Sequence, residues 1–381
     1  MPVHEVADVF RLHGDDYRVG HKLSIEQHRA MNRIAACRTP ALGGHMDRCD
    51  ACGHEHPSYN SCRDRHCPKC QATAKERWLN DRKAELLPVP YFHVVFTLPH
   101  SLNPLILHNR RVTLGDLFEA ASQTLHAFAA DPRWRLEGMP GIIAVLHTWS
   151  RTLIDHFHLH CLVPGGVLKP DGQWKPARAG YLFRVQSMAA LFKKLYIRRL
   201  EEALAAGKLV VPDVLDFHEL MATTGGKQWI VYAKPPFAGP KQVLEYLGRY
   251  THRVAISNER ILRIENGSVT FAYKDRQNNT RKQMTLAAAE FIRRFLLHVL
   301  PKGFVKIRYF GFLSHRRKKE AIARIRELLN AADDFAAKTP ETVREILLRL
   351  TGLDISKCPR CGNGRMFTIR QLPCCAPPDT S

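Results

Sequence analysis

HFHLHCLVPGG, residues 156–166, reads as a β-strand running into a turn. Side chains of a strand alternate between its two faces, so His158 and His160, two apart, project from one side and can grip a single metal ion. Downstream, KQVLEYLGRYTHR at 241–253 has helical character. Tyr246 and Tyr250, four apart, share one face of that helix, with about 5–6 Å between their Cβ atoms. A metal-binding histidine pair and two neighbouring phenols together point to phosphodiester chemistry with a tyrosine nucleophile. Taken alone, His-x-His on a strand reads more readily as two partly buried, hydrogen-bonded histidines, and each tyrosine as a core aromatic; the flanking segments reverse that balance.

The composition fits a polyanionic partner. The chain has 381 residues and 45% hydrophobic content, enough for two or three domains with real cores. Its 57 Lys and Arg against 36 Asp and Glu leave a formal charge of +21. For a chain this basic, nucleic acid is the usual partner. The opening MPVHEVADVFRLHGDD mixes acids into its apolar residues, unlike a secretory signal, and no apolar run approaches the 18 or so residues of a membrane span. A cytoplasmic location is therefore expected, where the eleven cysteines stay reduced and become candidate metal ligands.

Those cysteines cluster at both ends. Ser24 and Gln27 have capping-box spacing at the start of a helix that ends near Cys37. The pairs Cys49/Cys52 and Cys67/Cys70 have the spacing of a zinc ribbon, in which two tight turns present four thiolates to one Zn²⁺. Cys37, His45, Cys62 and His66 remain over, either as a second, interleaved set or as buried thiols and surface imidazoles. Cys358 and Cys361 form half of another knuckle, with Cys374 and Cys375 as nearby but awkward partners.

Between the clusters the pattern mixes helix and strand. Residues 71–86, 111–130 and 187–206 read as helices. FHVVFTL (92–98), IIAVLHTW (142–149), FHLHCLV (157–163) and WIVYA (229–233) read as strands, the middle two suited to antiparallel pairing. Pro240 suits the first position of the tyrosine helix, and Asn266-Gly267 signals a hairpin.

These segments carry a resemblance. CRTPALGGHMDRCDACGHE, SYNSCRDRHCPKCQ, YFHVVFTLPH, AVLHTWS, HFHLHCLVPGG, VYAKPPFAGPKQVLEYLGRYTHRVAISNERI and the terminal CPRCG run in order from about residue 25 to 365. Together they resemble the rolling-circle, two-tyrosine transposases of bacterial insertion sequences, a branch of the HUH endonucleases. The expected fold is α+β: a zinc ribbon-like module over 1–88, a nuclease domain with a central antiparallel sheet and a tyrosine-bearing helix over 89–300, and a basic helical extension with a CxxC knuckle over 301–381.

The resemblance implies a division of labour. Tyr246 and Tyr250 are the nucleophiles, forming 5′-phosphotyrosine links to single-stranded DNA. His158 and His160 hold Mg²⁺ or Mn²⁺, with His147 on the preceding strand the first candidate for a third ligand and His156 and His252 weaker ones. Imidazole suits Mn²⁺ better than Mg²⁺. Cys49, Cys52, Cys67 and Cys70 hold structural zinc, with Cys37, Cys62, His66, Cys358 and Cys361 offering a second site. Arg249, Arg253, Arg316 and Arg317 are candidate phosphate contacts. His93 and His100 are read as ordinary polar residues of strand and loop, and Tyr232 and Tyr273 as core aromatics.

No G-x-x-x-x-G-K-[ST] loop occurs, so strand separation is expected from a host helicase or the replication machinery. Two other readings share much of this pattern: a plasmid or phage replication initiator or relaxase, against which the ribbon and the CPRCG segment count, and a non-catalytic zinc protein that binds nucleic acid.

Overall fold

A computed structural model describes residues 3–83, 85–178, 180, 182–234, 242, 248, 254–275, 278–331 and 341–375. Tyr246, Tyr250, Arg249, Arg253 and His252, with the expected helix start at Pro240, lie outside the described residues.

The chain opens with two helices, α1 (Val6–Gly20) and α2 (Ile25–Ala36). The box read in the sequence caps α2: Ser24 Oγ accepts from Gln27 N at 3.2 Å, and Gln27 Oε1 accepts from Ser24 N at 2.9 Å. Two short strands follow, β1 (Gly44–Cys49) and β2 (Glu55–Tyr59), then the basic helix α3 (Pro68–Lys83).

The central unit contains β3 (Tyr91–Thr97), α4 (Asn103–His108), α5 (Arg110–Ala130), β4 (Met139–Trp149), β5 (Asp155–Pro164), β6 (Gly166–Leu168), β7 (Trp174–Pro176), α6 (Val185–Ala205), α7 (Phe217–Gly226) and β8 (Ile230–Lys234). Its strands line up as β7-β6-β4-β5-β3-β8, every neighbour antiparallel. The histidine strand β5 is thus interior, flanked by β4 and β3.

Alternation sorts its residues. Leu159, Cys161 and Val163 face one side with Val94, Phe96 and Leu146, forming the largest core beneath α5 and α6. There Phe96 meets Phe192 of α6 with ring centroids 4.9 Å apart. His158, His160 and Leu162 face the other side.

A second core joins the N-terminal helices to a three-stranded sheet in the order β11-β10-β9, with β9 (Ile261–Glu265), β10 (Ser268–Lys274), β11 (Arg281–Ala287) and the helix α8 (Ala288–Leu296). Phe10 of α1 packs edge-on against Phe295 of α8 at 5.3 Å. Asn266 and Gly267 take positive φ, 49° and 68°, at the hairpin between β9 and β10, the conformation that a tight primed turn requires.

The strands after residue 300 divide between two sheets. β12 (Ile307–Gly311) adds to β4, from Ile307 opposite Val145 to Gly311 opposite Gly141. Two helices, α9 (Lys318–Leu328) and α10 (Val343–Thr351), lead to β13 (Met366–Leu372), which pairs antiparallel with β1 in a sheet ordered β13-β1-β2. The stretch expected as one helical extension therefore contributes strands to both the central sheet and the N-terminal module.

Candidate metal centres

β4 and β5 bring His147 directly opposite His158, with Val145 opposite His160. Cross-strand neighbours share a face, so His147 joins the pair two residues apart on β5. One ring nitrogen of each of the three histidines lies within 4.8 Å of the others, and all three side chains are buried. Just beyond His147 the register slips, Trp149 standing opposite Asp155. Such bulges re-aim side chains and recur beside active sites. Trp149 stacks on the His147 ring at 4.7 Å.

Two further contacts orient the rings. His158 Nδ1 lies 2.8 Å from the His156 carbonyl oxygen, which fixes that nitrogen as the donor and makes Nε2 the ring nitrogen with an acceptor lone pair. His160 Nδ1 lies 2.8 Å from His93 Nε2 of β3, the two rings nearly parallel. Burial, aided by the charge of Lys234, pushes His93 down to about 4, so at neutral pH it is uncharged and has one nitrogen able to accept. His93, expected as an ordinary polar residue of its strand, instead contacts His160. The signal lay in strand parity, since His93 and Leu162 are cross-strand partners on the histidine-bearing face.

Of the weaker candidates, His156 supplies the carbonyl and stacks between His158 and His100, at 4.6 and 5.3 Å. Tyr232, expected in the core, is 52% exposed on β8, because the face it shares with the histidines is not covered at that edge.

The helix α3 lies on this face. Leu79 packs with Ile143 and Leu162, and Trp78 Nε1 donates to Tyr309 Oη at 3.2 Å. Gly248, between the two tyrosines in sequence, stands against α3 so closely that a Cβ on it would lie 2.6 Å from Leu79 Cδ1 and 3.1 Å from Lys75 Cε.

The cysteines form two sets of four, and the sets differ from the expected one. Cys67 and Cys70 join Cys37 and Cys62, while Cys49 and Cys52 join Cys358 and Cys361. The CxxC spacing identifies each knuckle, but which knuckles face each other is decided by the β1–β13 pairing, invisible to local sequence. In the first set Cys37 Sγ and Cys62 Sγ lie 3.7 and 3.6 Å from Cys70 Sγ. A tetrahedron with Zn–S bonds of 2.3 Å has edges of about 3.8 Å, so this donor set fits zinc.

His66 belongs to neither set. Its Nδ1 is 3.0 Å from Asp64 Oδ1, and its Nε2 accepts from Leu300 N at 3.3 Å. His45 sits 3.2 Å from Asp47. Cys374 and Cys375 are exposed and outside both groups. Arg316 and Arg317 are exposed at the start of α9.

Comparison with known proteins accords with this arrangement. Residues 9–98 match the model of a "Transposase zinc-binding domain", and residues 141–321 that of a family described as "Putative transposase". The chain is 48% identical over 377 residues to "Putative transposase y4qJ" of Sinorhizobium fredii (strain NBRC 101917 / NGR234), covering 96% of this chain and 94% of that protein. It is 29% identical over 349 residues to "Transposase for insertion sequence element IS801" of Pseudomonas savastanoi pv. phaseolicola, covering 89% and 82%. No solved structure matches. The first matched region holds both N-terminal knuckles and the second holds the histidine strand, and with a relative this similar along nearly its whole length the chain belongs to the insertion-sequence transposase family of the IS91/IS801 type.

Proposed function

We propose that this transposase cuts and rejoins single-stranded DNA at the ends of its insertion sequence by a rolling-circle route, with Tyr246 and Tyr250 as nucleophiles and His147, His158 and His160 as the ligands of a catalytic Mg²⁺ or Mn²⁺. The observation that carries the reading is the convergence of three buried imidazoles on two adjoining interior strands, β4 and β5. Ring nitrogens of three histidines converging within 4.8 Å form a donor set that suits a divalent ion. Neutral ligands leave the ion its full charge, which would draw electrons from the non-bridging oxygens of a phosphodiester.

The protein's own residues do the rest. His156 through its carbonyl and His93 through its ring hold two ligands in orientation. Gly248, which lies between Tyr246 and Tyr250 in sequence, sits against Leu79, a residue that packs on the histidine face, and this supports the reading. In the cleavage step the phenolic oxygen of one tyrosine bonds to phosphorus and the bond from phosphorus to the 3′ oxygen breaks. The phenol's proton leaves, a proton is taken up by the departing 3′ oxygen, and the 5′ phosphate stays on the tyrosine. Rejoining reverses the step with another 3′-hydroxyl, and the second tyrosine allows two strand ends to be held at once.

The surplus of positive charge suits a phosphate backbone as ligand. The test is incubation of the full chain and Mn²⁺ with oligonucleotides of the element's own ends, single- and double-stranded. A covalent 5′-phosphotyrosine adduct on the single strand is the expected result. Absence of any adduct, or a 3′ linkage, overturns the reading.

A further inference from the structure

We infer that Cys49, Cys52, Cys358 and Cys361 hold a second structural zinc, which clasps the C-terminal segment to the N-terminal module. The four sulfurs come from positions more than 300 apart in the chain, Cys49 to Cys361 being 312 residues. Cys49 Sγ lies 3.8 Å from Cys361 Sγ and Cys52 Sγ 3.7 Å from Cys358 Sγ. These are the edges of a zinc tetrathiolate, about 3.8 Å, and far longer than the 2.05 Å or so of a disulfide.

The two halves have the same construction. In Cys49-Asp50-Ala51-Cys52-Gly53 the glycine N–H donates to the first cysteine's carbonyl at 3.1 Å, and in Cys358-Pro359-Arg360-Cys361-Gly362 it does so at 3.0 Å. Both glycines take left-handed φ, 70° and 71°. Backbone N–H groups of Arg360 and Gly364 point at Cys358 Sγ and Cys361 Sγ, each at 3.4 Å. Such donors stabilise thiolates, the form that binds metal.

The halves are also fitted to one another. Asp50 N donates to Arg365 O at 3.0 Å, and Arg365 N donates to Asp50 Oδ1 at 2.8 Å. Gly364 passes so near the first knuckle that a Cβ there would stand 2.3 Å from Cys49 Sγ.

Burial supplies the reason for a metal. Among the described residues, none of β1, β2 or β13 enters a buried apolar cluster, and Phe367 of β13 is 48% exposed. A three-stranded sheet with so little core needs another source of stability, and a structural zinc supplies it. The zinc-binding family match stops at residue 98 and accounts for only half of these ligands.

The experiment measures zinc in the full chain purified in reducing buffer without chelator. Two equivalents are expected in the wild type and one in Cys358→Ser/Cys361→Ser. Cys361→His, which keeps four ligands, should retain two. Amides of β13 in the serine variant should exchange hydrogen at least tenfold faster, with those of β5 unchanged. One equivalent or fewer in the wild type, two retained in the serine variant, both ions lost together, or β13 exchange unaltered would each overturn the clasp.

Discussion

Replacing His93 with leucine tests whether the histidine cluster is a metal centre. The substitution keeps an apolar side chain of comparable reach on β3 and deletes the 2.8 Å contact with His160 Nδ1. His93 and His160 are both buried, so water cannot readily replace the lost partner. Loss of a buried hydrogen-bond partner costs about 1–3 kcal/mol. Loss of the group that orients a metal-bound histidine costs about 10–100-fold in affinity or activity, or about 1.4–2.7 kcal/mol. The two ranges agree, so Mn²⁺ affinity in titration calorimetry should fall 10–100-fold, and strand cleavage at limiting Mn²⁺ with it. His93→Gln, whose amide oxygen can accept from His160, should lose less than tenfold. A leucine variant that folds, binds Mn²⁺ as tightly as the wild type and cleaves at the same rate would refute the assignment.

Four further outcomes are expected. Tyr246→Phe/Tyr250→Phe removes only two oxygens and should abolish the covalent DNA adduct, read on denaturing gels, with single-stranded binding intact. Cys70→Ser should release one zinc and unfold the N-terminal module by circular dichroism, since structural zinc contributes about 10 kcal/mol or more. Gly248→Val should collide with Leu79, 2.6 Å from the Cβ position, and slow adduct formation at least tenfold, with Leu79→Ala restoring part of the rate. Burial pushes His298 down to about 3 and His93 to about 4 from the ordinary 6.5. These groups take up protons on unfolding, so their contribution is full above pH 6.5 and lost as pH falls through 4 and 3. Urea melts between pH 6.5 and 4 should lose up to about 1.4 kcal/mol per pH unit per histidine, and His298→Gln should remove one such share.

Much of the fold could be read from local periodicity and turn chemistry. The histidine strand, its antiparallel partner β4, the long helices α5 and α6 and the Asn266-Gly267 hairpin all stand within a few residues of their expected places, because each depends on neighbours in sequence. His147, on the strand next to the motif, stands opposite His158 for the same local reason. What escaped depends on pairing between distant segments. β12 carries no sign that it will add to β4, and the cysteine spacing, which marks three knuckles equally, is silent on partners. The contact of His93 with His160 depends on β3 lying beside β5, and the choice left open for His66 turns on Asp64 and the distant Leu300 amide, which hold its ring.

The distance between the halves of the clasp has a consequence for the order in which the protein is made. At about 5–20 residues per second, the 312 residues from Cys49 to Cys361 take roughly 15–60 s to synthesise. The set at Cys37, Cys62, Cys67 and Cys70 is complete long before. Throughout that interval the nascent chain displays Cys49 and Cys52 beside a finished thiolate site, and ligation of Zn²⁺ by Cys49, Cys52, Cys67 and Cys70 competes with the native pairing. The capped helix α2, which ends at Cys37, lies within the first 70 residues and favours the native set early, whereas the core that buries Cys37 and Cys67 draws on residues out to Val299 and secures that set only later.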